Sequence, residues 1–220
     1  MSKKTNKLAT TEQKPVVRLI RKANDLVEAR YKFDIWETRV FTKMLTLIKR
    51  DDEDFKEYRI YLKDIINDFG LQTDKAAYQW LKTGALKLGE KTVKILRDTD
   101  EGLKEFRTKI VAGTESFVND EDGKYIDVSF HPRMKPYLLA LKSRFTVYDA
   151  RNILKLPSTY SIRIYELLKQ YEKIGKRKFD LQELKEIVGA IEYIEVKGKK
   201  VEKDNYPLYG NFRQKVLLSM

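Results

Sequence analysis

Leu156-Pro157-Ser158-Thr159-Tyr160-Ser161-Ile162-Arg163-Ile164-Tyr165-Glu166-Leu167-Leu168-Lys169-Gln170-Tyr171 leads through a basic run to Phe179-Asp180-Leu181 and on to Gly189. Ser158, beside Pro157, predicts an N-cap, because a serine oxygen accepts from the free N–H groups of a first helical turn. Ile164, Leu167, Leu168 and Tyr171 then recur at the spacing of one buried helical face, and Gly175 stops the helix. Asp180 with Glu183 is a capping-box signature, and Leu181, Leu184, Ile187 and Val188 form the stripe of a second helix that Gly189 ends. The order is helix, short basic strand, helix.

The same order occurs earlier. An apolar helix over 34–48, with Trp36, Val40, Phe41, Met44, Leu47 and Ile48 at core spacing, leads to a strand at 58–62 and a short helix at 64–69 closed by Gly70. Ile60 to Gly70 and Phe179 to Gly189 are the same distance apart, so the chain carries an internal repeat. Helix, strand, helix, a further helix and a β-hairpin is the order of a winged helix, the helix-turn-helix variant whose third helix enters a DNA groove. The expected fold is therefore α+β, with two tandem winged-helix domains at 23–145 and 146–220 behind a basic flexible arm, 1–22.

In the first copy, Asn24, Asp25 and Arg30 accompany Leu26, Val27 and Ala29 in a short helix or turn. After Gly70, Thr73 or Asp74 caps a helix whose apolar face is Ala77, Tyr78, Leu81, Ala85 and Leu88. Lys75, Gln79, Lys82, Thr83 and Lys87 lie on its other faces, where a third helix reads base edges and phosphates. Alternating segments at 92–96, 108–112, 115–119 and 124–130 follow, the last two joined by Asp120-Glu121-Asp122-Gly123, a strong hairpin signal for a wing. Helices are expected at 133–141 and 148–154. In the second copy a hairpin around Gly198 precedes a final helix, 209–220, that buries Phe212, Val216 and Leu217 and offers Asn211, Arg213, Gln214 and Lys215 to a groove. The sequence stops there, so the second copy is read as lacking its carboxyl-terminal wing.

At 220 residues and 42% hydrophobic content the chain can build two cores. It has no cysteine for disulfides or thiolate metal sites, and no run of about 18 apolar residues that would cross a membrane. A cytoplasmic protein is expected. The net charge of +12 is uneven: residues 1–22 carry seven Lys/Arg against Glu12, and residues 133–178 carry twelve against Asp149, Glu166 and Glu172. That distribution predicts a polyanion ligand, with Arg144, Lys155, Ser158 and Arg163 as further contacts, and with an acidic neighbour such as Glu166 as the alternative partner of Arg163. Gly84 to Gly89 nearly matches a P-loop, but Glu90 stands where lysine must follow, and the segment ends a helix instead of opening one. His131 is the only histidine, so a two-histidine metal site cannot be built, and a capping or packing role is expected for it. No catalytic residues, metal or cofactor are expected.

Four segments carry a family resemblance: Asn24-Asp25-Leu26-Val27-Glu28-Ala29, Thr38-Arg39-Val40-Phe41, Ser161-Ile162-Arg163-Ile164-Tyr165-Glu166-Leu167-Leu168, and Tyr209-Gly210-Asn211-Phe212-Arg213-Gln214-Lys215-Val216-Leu217. In these the sequence resembles the iteron-binding plasmid replication initiators, the Rep_3 family. The resemblance implies two winged-helix domains that bind direct repeats in an origin as a monomer, help open the duplex and recruit host factors such as a helicase or initiator. It also implies self-association through the first domain, with repression of the protein's own gene. Base reading by the last helix would fall on Arg213, Gln214 and Lys215, with Gln214 standing where relatives often carry a basic residue. A winged-helix transcriptional regulator would use the same residues, and a basic RNA-binding protein is the reading from another class.

Overall fold

The computed structural model describes residues 18–116, 125–139 and 141–219. Most of the expected arm and the tip of the expected wing lie outside them. The first unit runs β1 (Leu19–Ala23), α1 (Asn24–Val27), α2 (Ile35–Leu47), β2 (Glu57–Tyr61), α3 (Leu62–Asp68) and α4 (Ala77–Glu90). Strands β3 (Thr92–Thr99), β4 (Gly102–Lys109), β5 (Val111–Glu115) and β6 (Tyr125–Phe130) follow, then a 3-10 turn (Pro132–Met134) running into α5 (Lys135–Leu138), β7 (Phe145–Asp149) and α6 (Arg151–Leu154). The second unit holds α7 (Thr159–Gln170), α8 (Leu181–Val188), β8 (Ile191–Val196), β9 (Lys199–Asp204) and α9 (Tyr209–Phe212), which continues as a π-helical turn, Arg213–Leu217.

Local chemistry sets the main helices. Asp34 caps α2 with a full capping box, its carboxylate accepting from Trp36 and Glu37 N–H at 2.8 Å while Glu37 accepts from the Asp34 N–H. Ser158 caps α7, accepting from Ser161 N–H at 3.1 Å, and Asp180 caps α8 through Glu183 N–H. Gly189 ends α8 at φ 80°, where an added Cβ would stand 2.9 Å from the Tyr31 carbonyl oxygen. A glycine is needed there both for its left-handed backbone and for space.

Strands β2, β6 and β5 form a three-stranded antiparallel sheet in that order, and β3 pairs with β4 in a separate hairpin. The structure extends strand pairing through 97–107, beyond the two short segments that alternation marked. Phe179-Asp180-Leu181 is not a strand, because Asp180 and Leu181 already serve as cap and first turn of α8. The expected helix at 148–154 is also corrected: Phe145–Asp149 is β7, which pairs with β1, and only Arg151–Leu154 is helical. Residues 19–22, placed in the arm by charge, are likewise strand. Ile20, Lys22, Thr146 and Tyr148 alternate inward along that pair, a pattern that the cations in 18–22 mask.

Two hydrophobic cores result, and they divide within α7. Tyr148, Ala150, Ile153 and Ile162 pack into the first with α2, α4 and the sheet, whereas Ile164, Leu167, Ile187, Val188, Phe212 and Val216 form the second together with Val27 of α1. The expected division at 145/146 falls at the start of β7. On α7 Leu167 is buried and Leu168 is 56% exposed, and Tyr171 at its C-cap is half-buried. The helix is gripped from two sides, so its buried surface is wider than the single stripe and runs away from Leu168.

Leu167→Ala should therefore cost about 2–5 kcal/mol, the range for emptying a buried leucine site, and Leu168→Ala less than about 0.5 kcal/mol. Urea unfolding of both variants checks the assignment.

Candidate nucleic-acid interface

Helix α4 lies against α2 at Gly84, where a Cβ would come within 3.0 Å of Trp36. Ala77, Leu81, Ala85 and Leu88 fill the core beneath it. Its outward face carries Gln79 and Lys87, with Lys75 exposed just before the helix and Lys82 and Thr83 half-buried on its sides. Lys87 Nζ stands 4.0 Å from the Asp34 carboxylate. The cap of α4 differs from expectation: Asp74 accepts from the Ala76 N–H at 2.9 Å and shapes the turn before the helix, whose N-cap is Ala76. Tyr78 is exposed, and so is Trp80 at 48%.

Trp80 stacks on Trp36 at 6.4 Å between ring centroids, and the Arg39 guanidinium covers the other ring at 4.5 Å. This aromatic and cationic ladder beside α4 was not singled out from the sequence, where Trp36 counts as core and Trp80 falls between two stripes. The nearby sheet is pinned by Arg59, which donates from Nε and Nη2 to Asp127 at 2.9 and 2.8 Å and lies 4.0 Å from the Tyr125 ring centre. The Arg59 guanidinium holds the Asp127 carboxyl below its ordinary value.

The second exposed polar face is on the last helix. Phe212 and Val216 are fully buried, which leaves Asn211, Arg213, Gln214 and Lys215 exposed. Its entry is fixed by Lys185, buried on α8, whose Nζ donates to Asp204 Oδ2 and the Tyr206 carbonyl at 2.7 Å each and lies 5.6 Å from the Phe212 ring centre. The helix is short and widens into a π turn closed by Leu218 N–H to the Arg213 carbonyl at 2.9 Å. That replaces the regular helix expected over 209–220. Its end adjoins the start of α7, where Ser161 Oγ donates to the Ser219 carbonyl at 3.5 Å.

Of the other expected contacts, Arg144 and Lys155 are exposed. Arg144 sits at φ 51° in the turn before β7, 3.8 Å from Asp25. The Ser158 hydroxyl is taken up by capping α7 and by Ser161 Oγ at 2.8 Å. Arg163 is a correction. It is 95% buried, and its guanidinium donates to Tyr31 Oη at 2.7 Å, Glu166 Oε2 at 2.9 Å and the Val27 and Ala29 carbonyls at 2.8 Å. A phosphate cannot reach it. Lys22, counted with the basic arm, is buried too and meets Glu166 Oε1 at 2.5 Å, while the Tyr148 hydroxyl donates to the same oxygen. His131 caps the 3-10 turn, Nδ1 accepting from Arg133 N–H at 3.2 Å.

Burial alone would raise the Glu166 pKa, but the charges of Lys22 and Arg163 and the bonds from Lys22 and Tyr148 outweigh it and hold the carboxyl below its ordinary value. The Tyr148 hydroxyl is pushed well up, by burial first and then by the Glu166 carboxylate.

Residues 19–169 match the family described as Initiator Replication protein, WH1. The chain belongs to the initiator replication protein family. Among solved structures, this initiator chain is similar to the Pi initiator protein, solved in complex with iteron DNA: 22% identity, TM-score 0.66, covering 91% of this chain and 82% of that one. At that identity the likeness shows the fold, two winged-helix units in tandem. RctB domains 2-3 align at 15% identity with a TM-score of 0.41, over 79% of this chain and 83% of that one, a likeness too low to carry argument. No helix among the described residues is long and apolar enough to cross a membrane.

Glu166→Gln strands Lys22 and Arg163 as buried cations without their carboxylate, so it should cost about 3–5 kcal/mol. Because the native Glu166 pKa lies below its ordinary 4.5, its stabilisation is fully present above that value and is lost as pH falls through the native one. Thermal melts from pH 7 to pH 3 should show a steeper acid loss for the unaltered protein than for Glu166→Gln.

Proposed function

We propose that this initiator starts replication from a plasmid origin by binding direct repeats of double-stranded DNA, with the last helix reading base edges and α4 contacting the duplex through its exposed face. The observation that carries this reading is the last helix itself. It buries Phe212 and Val216 completely and turns four polar side chains outward, the division of labour that a groove-reading helix needs. Gln79 and Lys87 on α4 and Lys75 just before it, with Lys82 and Thr83 on its sides, play the corresponding part in the first unit. Arg144 and Lys155 supply phosphate contacts. The crystal structure of the Pi initiator with iteron DNA supports repeats as the ligand class.

In this reading the protein works in the cytoplasm and turns over no substrate of its own. It opens the duplex through binding and recruits host replication factors such as a helicase or initiator. Self-association through the first unit, where the β3–β4 hairpin pairs with no other strand and Arg30 bridges its β3 edge only at Lys94, would serve repression of its own gene. Sedimentation of the full chain over a range of concentrations should then show association that a proline placed on the β3 edge abolishes. A strict monomer at high concentration would remove this part of the proposal.

Phosphate and base contacts leave different signatures. Each lost phosphate contact lowers the salt slope of log K by about 0.9 and weakens all duplexes alike, whereas a lost base contact costs about 1–3 kcal/mol on the cognate site. Arg213→Ala should reduce preference for the plasmid's own repeat over a scrambled duplex, and Lys155→Ala should weaken both equally. Binding to the two duplexes at two salt concentrations tests this. Parallel weakening by Arg213→Ala would make the last helix a phosphate clamp and move base reading to α4.

A further inference from the structure

The β1–β7 pair has two faces of opposite character. Ile20, Lys22, Thr146 and Tyr148 point into the protein, and the alternate residues Leu19, Arg21, Phe145 and Val147 point outward. These outward residues form one wall of a groove of about 420 Å³ whose other wall is made by the ends of α2 and α5 and the residues just after them, Ile48, Leu138 and Leu141 among them. Leu19 and Phe145 are each more than a third exposed. Hydrophobic surface of this kind, gathered in a concavity, marks a binding site.

The rim has one sign of charge. Arg21, Lys49, Arg50 and Lys142 line the groove, and no acidic side chain does so among the described residues. Asp52 feels the charge of Lys49, but its carboxylate is already taken by the Lys49 N–H at 2.8 Å and the Lys56 Nζ at 2.6 Å. The acid nearest on the sheet face, Asp149, is already held by Arg151 through Nε at 2.9 Å and Nη2 at 2.5 Å. An apolar floor under these cations complements a ligand that is both apolar and acidic. DNA phosphate satisfies the rim and leaves Leu19 and Phe145 unused, and the protein's own lysine-rich residues 1–17 would be repelled.

We infer that this groove docks an acidic, amphipathic peptide segment of a partner protein, its apolar side chains against Leu19, Phe145 and Val147 and its carboxylates on Arg21, Lys49, Arg50 and Lys142. The surface is separate from the two polar helix faces assigned to DNA, and Arg144, assigned to phosphate, stands beside it between Lys142 and Phe145 without lining it. Two strands with hydrogen-bonding edges at the wall also allow an extended segment to add to the sheet.

The test uses the full chain and three fluorescein-labelled synthetic peptides of equal length: alternating glutamate and leucine, glutamate and serine, and lysine and leucine. The glutamate–leucine peptide should bind in anisotropy titrations, and the other two should not. Binding should weaken about tenfold or more in Phe145→Ser and in a variant combining Arg21→Glu, Lys49→Glu and Arg50→Glu. Both variants should keep the unaltered thermal midpoint, since these side chains are exposed or half-buried, and repeat-DNA binding by Phe145→Ser should be unchanged. Equal binding of the glutamate–serine peptide would reduce the groove to a patch of cations and overturn the inference. So would peptide binding that ignores both variants, or absence of binding to the unaltered protein. Conversion of a dimer to a monomer by Phe145→Ser in sedimentation would assign the groove to a second copy instead. If Phe145→Ser lowers the melting midpoint, Leu19→Ser at the other end of the floor gives the same readout.

Discussion

Lys22, Glu166 and Arg163 meet where three segments converge: β1, α7 and the loop after α1. All three are at least 95% buried. Charges taken out of water cost several kcal/mol each, and in a partly screened interior one close pair returns about 4 kcal/mol, so the network is close to neutral in net stability. What it supplies is direction. The two terminal nitrogens of the Arg163 guanidinium are satisfied only when Val27, Ala29, Tyr31 and Glu166 are all in place, which fixes α7 against the first unit to within the tolerance of a hydrogen bond. Because Ile162 of the same helix packs into the first core and Ile164 and Leu167 into the second, the orientation of α7 sets the relation between the units.

That relation matters because the two exposed polar helix faces are carried on opposite sides of this joint. Helix α4 is held by α2 through the close approach at Gly84, and the last helix by α8 through Lys185 and by the start of α7. A protein that engages successive stretches of duplex needs the two at a fixed separation, since register on DNA is geometric. The last helix is the less regular, one short α turn and one π turn, and it depends on Phe212 and Val216 for its hold.

Charge is also partitioned by the fold. Several cations of the basic stripe are spent internally: Arg163 on Glu166, Arg151 on Asp149, Lys169 on Glu172 and Arg177 on Glu28. Arg213, Gln214 and Lys215 remain exposed on one helix, and Arg21, Lys49, Arg50 and Lys142 gather around an apolar groove. The same composition thus serves architecture, a candidate duplex surface and a candidate protein surface.

The sequence by itself determined the capped helices α2, α7 and α8 and, from its periodic face alone, α4, together with the repeat that relates the units, because capping and amphipathic spacing are local properties written in neighbouring residues. It also placed Asn211, Arg213, Gln214 and Lys215 opposite a buried Phe212 and Val216. Only the tertiary structure decided the role of residues 145–149, which read as linker and helix and became the partner strand of β1 more than a hundred residues away. It alone decided that Arg163 and Lys22 turn inward. A cation is assigned to solvent until its carboxylate is found, and Glu166 meets Lys22 across 144 positions of chain, a pairing that no local pattern encodes.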